Sequence, residues 1–176
     1  MLYYFSYGSN MSTRRLRART PSARKVNNAS LSQHQLLFHH ASEIDGSAKC
    51  NALYTGNPVH VVHGVLFAID KHEKPVLDKC ESLGIGYEEK FVSVETVDGT
   101  IIEALTYTSL RVKEDLKPFS WYKQHVLRGA IEHGLPEEYL VSIDTVDSIF
   151  DSNQTRHEQE LAVYDSSTTG STSSGH

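Results

Sequence analysis

Strand-like segments crowd the first 107 residues, and helical periodicity dominates from residue 119 onward. That order, with no regular alternation of strand and helix, predicts an α+β domain rather than one wound around a parallel sheet. The opening Leu2-Tyr-Tyr-Phe-Ser-Tyr7 is aromatic and suits a pleated, half-buried surface. Further strands are expected at Leu36–His40, Asn51–Thr55 and His63–Ile69. Two more, Tyr87–Val97 and Thr100–Tyr107, meet at Asp98-Gly99, a pair that favours a two-residue hairpin turn. Three helices have recognisable ends. Met11–Arg17 is preceded by Asn10 as candidate N-cap and stopped by Thr20-Pro21. Pro75–Leu83 carries Val76, Leu77, Cys80 and Leu83 on one face. Phe119–His133 has a buried-looking side and a terminating Gly134, and Pro136 then opens a fourth helix over Glu137–Ile143.

A chain of 176 residues with 39% hydrophobic residues can bury a core and fits one domain. We place that domain at residues 1–150. Residues 151–176 turn polar, and Asp165–His176 is rich in Ser, Thr and Gly, so a disordered tail is expected there. Charge is unevenly spread: residues 1–42 hold six basic residues and no acid, while the remainder holds eleven basic against 22 acidic. Because Met1–Tyr7 precedes the arginines and no long apolar run follows, a secretory signal is disfavoured, as is a transit peptide by the strand at Leu2. No stretch reaches the 18 or so apolar residues of a membrane span. Two cysteines, Cys50 and Cys80, are too few for a disulfide framework, and a cytoplasmic setting is expected.

Two local patterns carry chemistry. In Tyr7-Gly8-Ser9-Asn10 a strand turns through glycine toward a helix, an arrangement that leaves backbone N–H groups free to receive an anion or a developing oxyanion. It lacks the spacing of a P-loop or of a dinucleotide fingerprint. Glu81 lies at the edge of an apolar helical face near the helix end, where desolvation would raise its pKa toward the range a general base and acid needs. Other features are weaker. His39-His40 and His60-x-x-His63 have no Cys or carboxylate at a metal-ligand interval, so no metal is expected. Cys80 reads as core, and a Cys–His nucleophile is unsupported by spacing. The arginines at 14–24 lack interleaved aromatics, so nucleic acid is not an expected partner. His133 is expected to place a cation at a helix C-terminus.

The chain resembles the γ-glutamyl cyclotransferases in their bacterial-type, single-domain form. Four ordered blocks carry the resemblance: Tyr4–Met11; Leu37–His40 with Asp45–Ala52; His63–Asp70 through Leu77–Glu81; and Pro118–Tyr122 through Gly129–Tyr139. It implies a mixed, largely antiparallel sheet or partial barrel with packed helices. It also implies an intramolecular acyl transfer in a small γ-glutamyl substrate, closing 5-oxoproline and releasing an amine without cofactor or metal. Glu81 matches the family's acid–base glutamate. Tyr7, Gly8, Ser9, Asn10 and Tyr122 match its substrate-binding positions, with the Tyr122 hydroxyl expected to bond near Glu81. Glu81 is followed by Ser82 where many relatives have glycine, and Tyr87, Asp45 and Lys49 are left outside the site. Alternatives are a specialised enzyme acting on one unusual amine and a non-catalytic carboxylate-binding module with Glu81 turned to solvent. Finally, the basic residues from Arg14 onward are expected to draw a carboxylate-bearing substrate toward the loop.

Overall fold

The computed structural model describes residues 1–165. Five strands close a barrel in the order β1 (Leu2–Ser6), β5 (Val61–Ile69), β2 (Arg24–Ser32), β6 (Tyr87–Thr96), β7 (Ile101–Ser109). Every pairing is antiparallel except the closing one, where Tyr4 of β1 meets Leu105 of β7 in parallel. Strands β3 (His34–Ala41) and β4 (Ala48–Tyr54) form a separate two-stranded sheet. Among the described residues five α-helices complete the fold: α1 (Thr13–Arg19), α2 (Lys74–Cys80), α3 (Ser120–Glu132), α4 (Glu137–Asp144) and α5 (Gln154–Leu161). Closure of the barrel leaves no free edge on the main sheet and buries Phe5, Val65, Leu66, Phe67, Val94 and Leu105 in one continuous core. Each such side chain stabilises the fold by roughly 1.5–3 kcal/mol through burial.

Several expectations change in detail. Strand β2 was not expected, because Arg24–Ser32 is polar and shows no clean alternation; its place between β5 and β6 comes from long-range pairing and includes a bulge between Lys25 and Asn27. The hairpin turn has three residues, since the Thr96 N–H bonds the Thr100 carbonyl and Val97-Asp98-Gly99 lie between them with Gly99 at φ +84°. Asn10 does not cap α1. Ser12 does, accepting from the Arg15 N–H, while Asn10 sits in a preceding 3₁₀ turn, Ser9–Met11.

Order also continues past the boundary expected at residue 150. Helix α5 buries no residue of its own and is held by polar contacts. Asp151, fully buried, accepts from Trp121 Nε1 at 2.9 Å and takes both nitrogens of an Arg156 fork at 2.6 and 2.7 Å. The fork and the indole donor outweigh desolvation and hold the Asp151 carboxyl far below the usual carboxylate range. The expected disorder of the C-terminal stretch therefore does not extend over 154–165, and residues 166–176 lie outside the described residues.

One close contact positions everything that follows. Helix α3 crosses the 3₁₀ turn so tightly that a Cβ on Gly129 would stand 2.5 Å from the Ser12 nitrogen and 2.7 Å from the Met11 backbone. Only glycine permits that approach. At the end of α3, His133 Nε2 lies 2.9 Å from the Met11 carbonyl, which requires it to donate. Burial lowers its pKa, so His133 ties the loop down as a neutral donor rather than acting as a helix-end cation.

Candidate active site

The loop after β1, the end of α2, the edge of β4 and the start of α3 converge on one cavity. Its inner chamber, about 330 Å³, is lined by Tyr4, Tyr7, Gly8, Asn10, Glu81 and Tyr122, with Ser9, Cys50 and Tyr87 among its other walls. An outer chamber of about 760 Å³ shares Ser9, Glu81, Tyr87 and Tyr122 with it. All six positions expected from sequence line the inner chamber.

Glu81 is the C-cap of α2, and its own N–H still bonds the Leu77 carbonyl at 2.9 Å. The next residue, Ser82, has φ +49°, a left-handed conformation that glycine adopts without penalty. From there the chain folds on itself, with the Leu83 N–H bonding the Asp78 carbonyl and the Gly86 N–H bonding the Ser82 carbonyl. The compact turn brings Tyr87 back beside Glu81, so the short interval between them is what puts both in the cavity.

Asn10 is the steadying group. Its Nδ2 donates to Glu81 Oε1 at 3.3 Å and to the Tyr4 hydroxyl at 3.1 Å, and its Oδ1 accepts from Arg19 Nη1 at 3.0 Å. A guanidinium has no acceptor, so Oδ1 must face Arg19 and the amide N–H groups must face Glu81. The Glu81 side chain retains partial exposure yet is densely surrounded. Burial pushes its pKa up, and the nearby charges of Arg19 and Arg15 oppose that shift without cancelling it.

The other inner groups are uncharged. Burial drives the hydroxyls of Tyr4, Tyr7, Tyr87 and Tyr122 well above the usual phenol range, so they serve as neutral hydrogen-bonding groups. The Cys50 thiol is pushed up to about 12 by burial, which removes it as a nucleophile. Cys50 instead works through its backbone: its N–H donates to the Tyr122 hydroxyl at 3.0 Å, and its carbonyl accepts from the Tyr87 hydroxyl at 2.7 Å. The Tyr122 hydroxyl thus bonds the backbone of β4, in the chamber that Glu81 also lines. Opposite these groups, Met11 and Ser12 donate back to the carbonyls of Gly8 and Ser9, and the N–H groups of Gly8, Ser9 and Asn10 have no protein acceptor among the described residues. A Cβ on Gly8 would lie 3.3 Å from the Cys50 Cβ and 3.4 Å from the Tyr122 hydroxyl.

The outer chamber holds residues that the sequence reading left outside the substrate-binding set, Asp45 and Lys49 among them. Lys49 Nζ bonds Asp45 Oδ2 and Ser47 Oγ, both at 2.7 Å, and lies 4.5 Å over Trp121 and 4.7 Å over Tyr122. Arg15 Nη1 meets Glu160 Oε2 at 2.6 Å. Arg14 donates to the Tyr164 carbonyl and Arg17 to the Ala23 carbonyl. The α1 arginines are therefore built into specific contacts, and Arg15 and Arg19 are part of the cavity wall. His40 also lines this chamber; burial and the charges of Lys49 and Arg111 lower its pKa to about 4, and its Nδ1 sits 2.7 Å from Ser109 Oγ. Among the described residues no group of three or more His, Cys, Asp or Glu side chains is placed to hold a metal, and no helix is long and apolar enough to cross a membrane.

Residues 61–143 match the model of the AIG2-like family. The bovine and human γ-glutamylcyclotransferases are each 31% identical to this chain over 147 residues, covering 82% of it and 78% of the relative. A solved structure described as a γ-glutamyl cyclotransferase superposes with TM-score 0.83 at 26% identity, covering 93% of this chain and 98% of its own. A human protein of uncharacterised function superposes with TM-score 0.82 at 27% identity over the same shares. With that identity across most of both chains, and with the fold superposing over most of their length, this chain belongs to the γ-glutamylcyclotransferase family.

Proposed function

We propose that this chain is a γ-glutamylcyclotransferase, converting a γ-glutamyl amino acid or amine to 5-oxoproline and the free amine. The observation that carries the reading is the half-buried Glu81, held by Asn10 in a small cavity that Gly8, Ser9 and Asn10 also line, their backbone N–H groups having no protein acceptor among the described residues. The α-amino nitrogen of the substrate attacks its own γ-carbonyl carbon, closing a five-membered ring. Glu81 takes the proton that this nitrogen sheds, and the N–H groups of Gly8, Ser9 and Asn10 receive the charge that develops on the carbonyl oxygen. The bond to the leaving nitrogen then breaks as Glu81 returns the proton to it. Proton transfer of this type contributes about 10²–10⁴-fold, and holding the chain folded for ring closure supplies several kcal/mol more.

Tyr4, Tyr7, Tyr87 and Tyr122 keep the chamber narrow and uncharged, leaving Glu81 as the carboxylate of its lining. A binding module without catalysis would leave this glutamate in solvent, whereas here it lines both chambers. The buried, unlinked Cys50 supports a reducing, cytoplasmic setting. Incubation of the purified protein with a panel of γ-glutamyl dipeptides and γ-glutamyl amines, with 5-oxoproline as the readout, tests the reading. Stoichiometric 5-oxoproline and amine are expected from at least one member, and free glutamate as the product would refute cyclisation.

A further inference from the structure

The hydroxyls around the inner chamber differ in whether they are already spent. Tyr7 donates to the Tyr107 carbonyl, Tyr87 to the Cys50 carbonyl at 2.7 Å, Tyr107 to Asp78 Oδ1 at 2.7 Å and Thr106 to the Phe5 carbonyl at 2.9 Å. Ser6 is 1% exposed, and its Oγ is buried with no hydrogen-bond partner. Tyr4 accepts from Asn10, and its own proton has no acceptor among the described residues. Ser6 and Tyr4 alternate along β1, so their side chains share one face of the strand, and both line the chamber. Burial raises the Tyr4 pKa, and the Ser6 hydroxyl lies close enough to it to oppose that rise. A buried hydroxyl without a partner costs free energy, so this pair beside a cavity marks the place of a ligand group that accepts hydrogen bonds.

We propose that the Ser6 and Tyr4 hydroxyls receive the α-carboxylate of the γ-glutamyl moiety, and that Ser6 thereby selects substrates that carry it. The inference rests on the proposed cyclotransferase reading and deepens it. In that reaction Glu81 takes the proton of the α-amino group and the loop N–H groups receive the carbonyl oxygen, which leaves the carboxylate to be held. Neutral donors hold it without bringing a further cation beside Glu81. The negative charge they admit favours the protonated form of Glu81 that the first step creates. Because that charge is the same in the ground and transition states, its hydrogen bonds act on KM rather than on kcat.

The test compares γ-glutamyl-L-alanine with γ-aminobutyryl-L-alanine, which lacks only the α-carboxylate and would close to 2-pyrrolidinone. In Ser6→Ala the KM of the glutamyl compound is expected to rise about tenfold, the worth of a hydrogen bond to a charge, with kcat kept. The preference for it over the aminobutyryl compound narrows by the same factor, and Ser6→Thr, which restores a hydroxyl, recovers part of it. The melting temperature of Ser6→Ala is expected to stay or rise, since the change removes an unsatisfied buried group. If Ser6 only holds a structural water, both compounds weaken alike and the preference stays, which overturns the inference. Calorimetric binding of both compounds to Glu81→Gln keeps the inference apart from the catalytic reading. Tighter binding of the glutamyl compound, weakened about tenfold by adding Ser6→Ala, supports the assignment even if no turnover is found. An equal loss on both compounds, or no loss, overturns it.

Discussion

The inner and outer chambers are adjacent and share Glu81, yet they are built on opposite electrostatic plans. Apart from Glu81, the inner chamber is walled by five tyrosines, Asn10, Cys50 and a glycine-containing turn, all uncharged at neutral pH, and comes mainly from the barrel and the segments at its mouth. The outer chamber is walled by Arg15, Arg19, Lys49, Glu43, Asp45 and Glu160, supplied by α1, the β3–β4 loop, the start of β4 and α5. In a chamber with one carboxylate, that group's proton affinity is raised by desolvation against the opposing charges of Arg19 and Arg15, so it can cycle between two protonation states. In a chamber of paired charges, the pairs are fixed and a ligand is recognised by what they leave unspent. The first arrangement suits a constant chemical step on the γ-glutamyl moiety, and the second suits discrimination of whatever is attached to it.

Substitutions that strike one chamber and spare the other sharpen this division. The largest effect is expected for Glu81→Gln, which removes the proton carrier: kcat drops by about 10²–10⁴-fold while circular dichroism and the melting transition stay those of a folded protein. Next comes Asn10→Ala. It deletes a donor to the charged form of Glu81, so kcat/KM falls by about tenfold or more, at the usual worth of a hydrogen bond to a charge, and the acid limb of its pH profile moves to higher pH.

Gly129→Ala attacks the inner chamber from outside, by forcing α3 off the Ser9–Met11 turn. Overpacking of this kind costs about 1–3 kcal/mol, read as a fall in melting temperature of about 2–4 °C per kcal/mol. Glu160→Gln loosens Arg15 in the outer chamber only, and KM is expected to change severalfold with kcat preserved. A collapse of kcat there would erase the distinction between the chambers. Smallest of all, Ser82→Gly relieves the left-handed backbone beside Glu81 and is expected to raise stability by about 0.5–1 kcal/mol in denaturant unfolding.

Legibility in the sequence followed the same line. The inner chamber draws on contiguous signals: an aromatic strand ending in Tyr7-Gly8-Ser9-Asn10, an apolar run at His63–Ile69, and a helix ending at Glu81. Local propensity and local turns specify these, so their positions were readable. Even here, the role of Asn10 was misread as a cap, because its partners Tyr4, Arg19 and Glu81 lie on three different elements. Tyr87 was missed because its approach depends on the hydrogen-bonded turn after Ser82. The outer chamber draws on polar segments with no periodic signature. Helix α5 buries nothing, and its residue Glu160 meets Arg15 across 145 positions of chain. Strand β2 likewise shows a polar face pattern and is specified by the strands on either side of it.

The central claim is that a single desolvated carboxylate both takes and returns the proton, and the pH dependence of kcat/KM tests it most directly. Because burial raises the pKa of Glu81 above its ordinary value of 4.5, its charged, base-competent form is lost on acidification sooner than that of a surface glutamate. The wild-type profile should therefore fall through one ionisation above pH 4.5, and the residual rate of Glu81→Gln should lack that limb. A wild-type limb at or below the ordinary carboxylate value, or the same limb persisting in Glu81→Gln, would contradict the account.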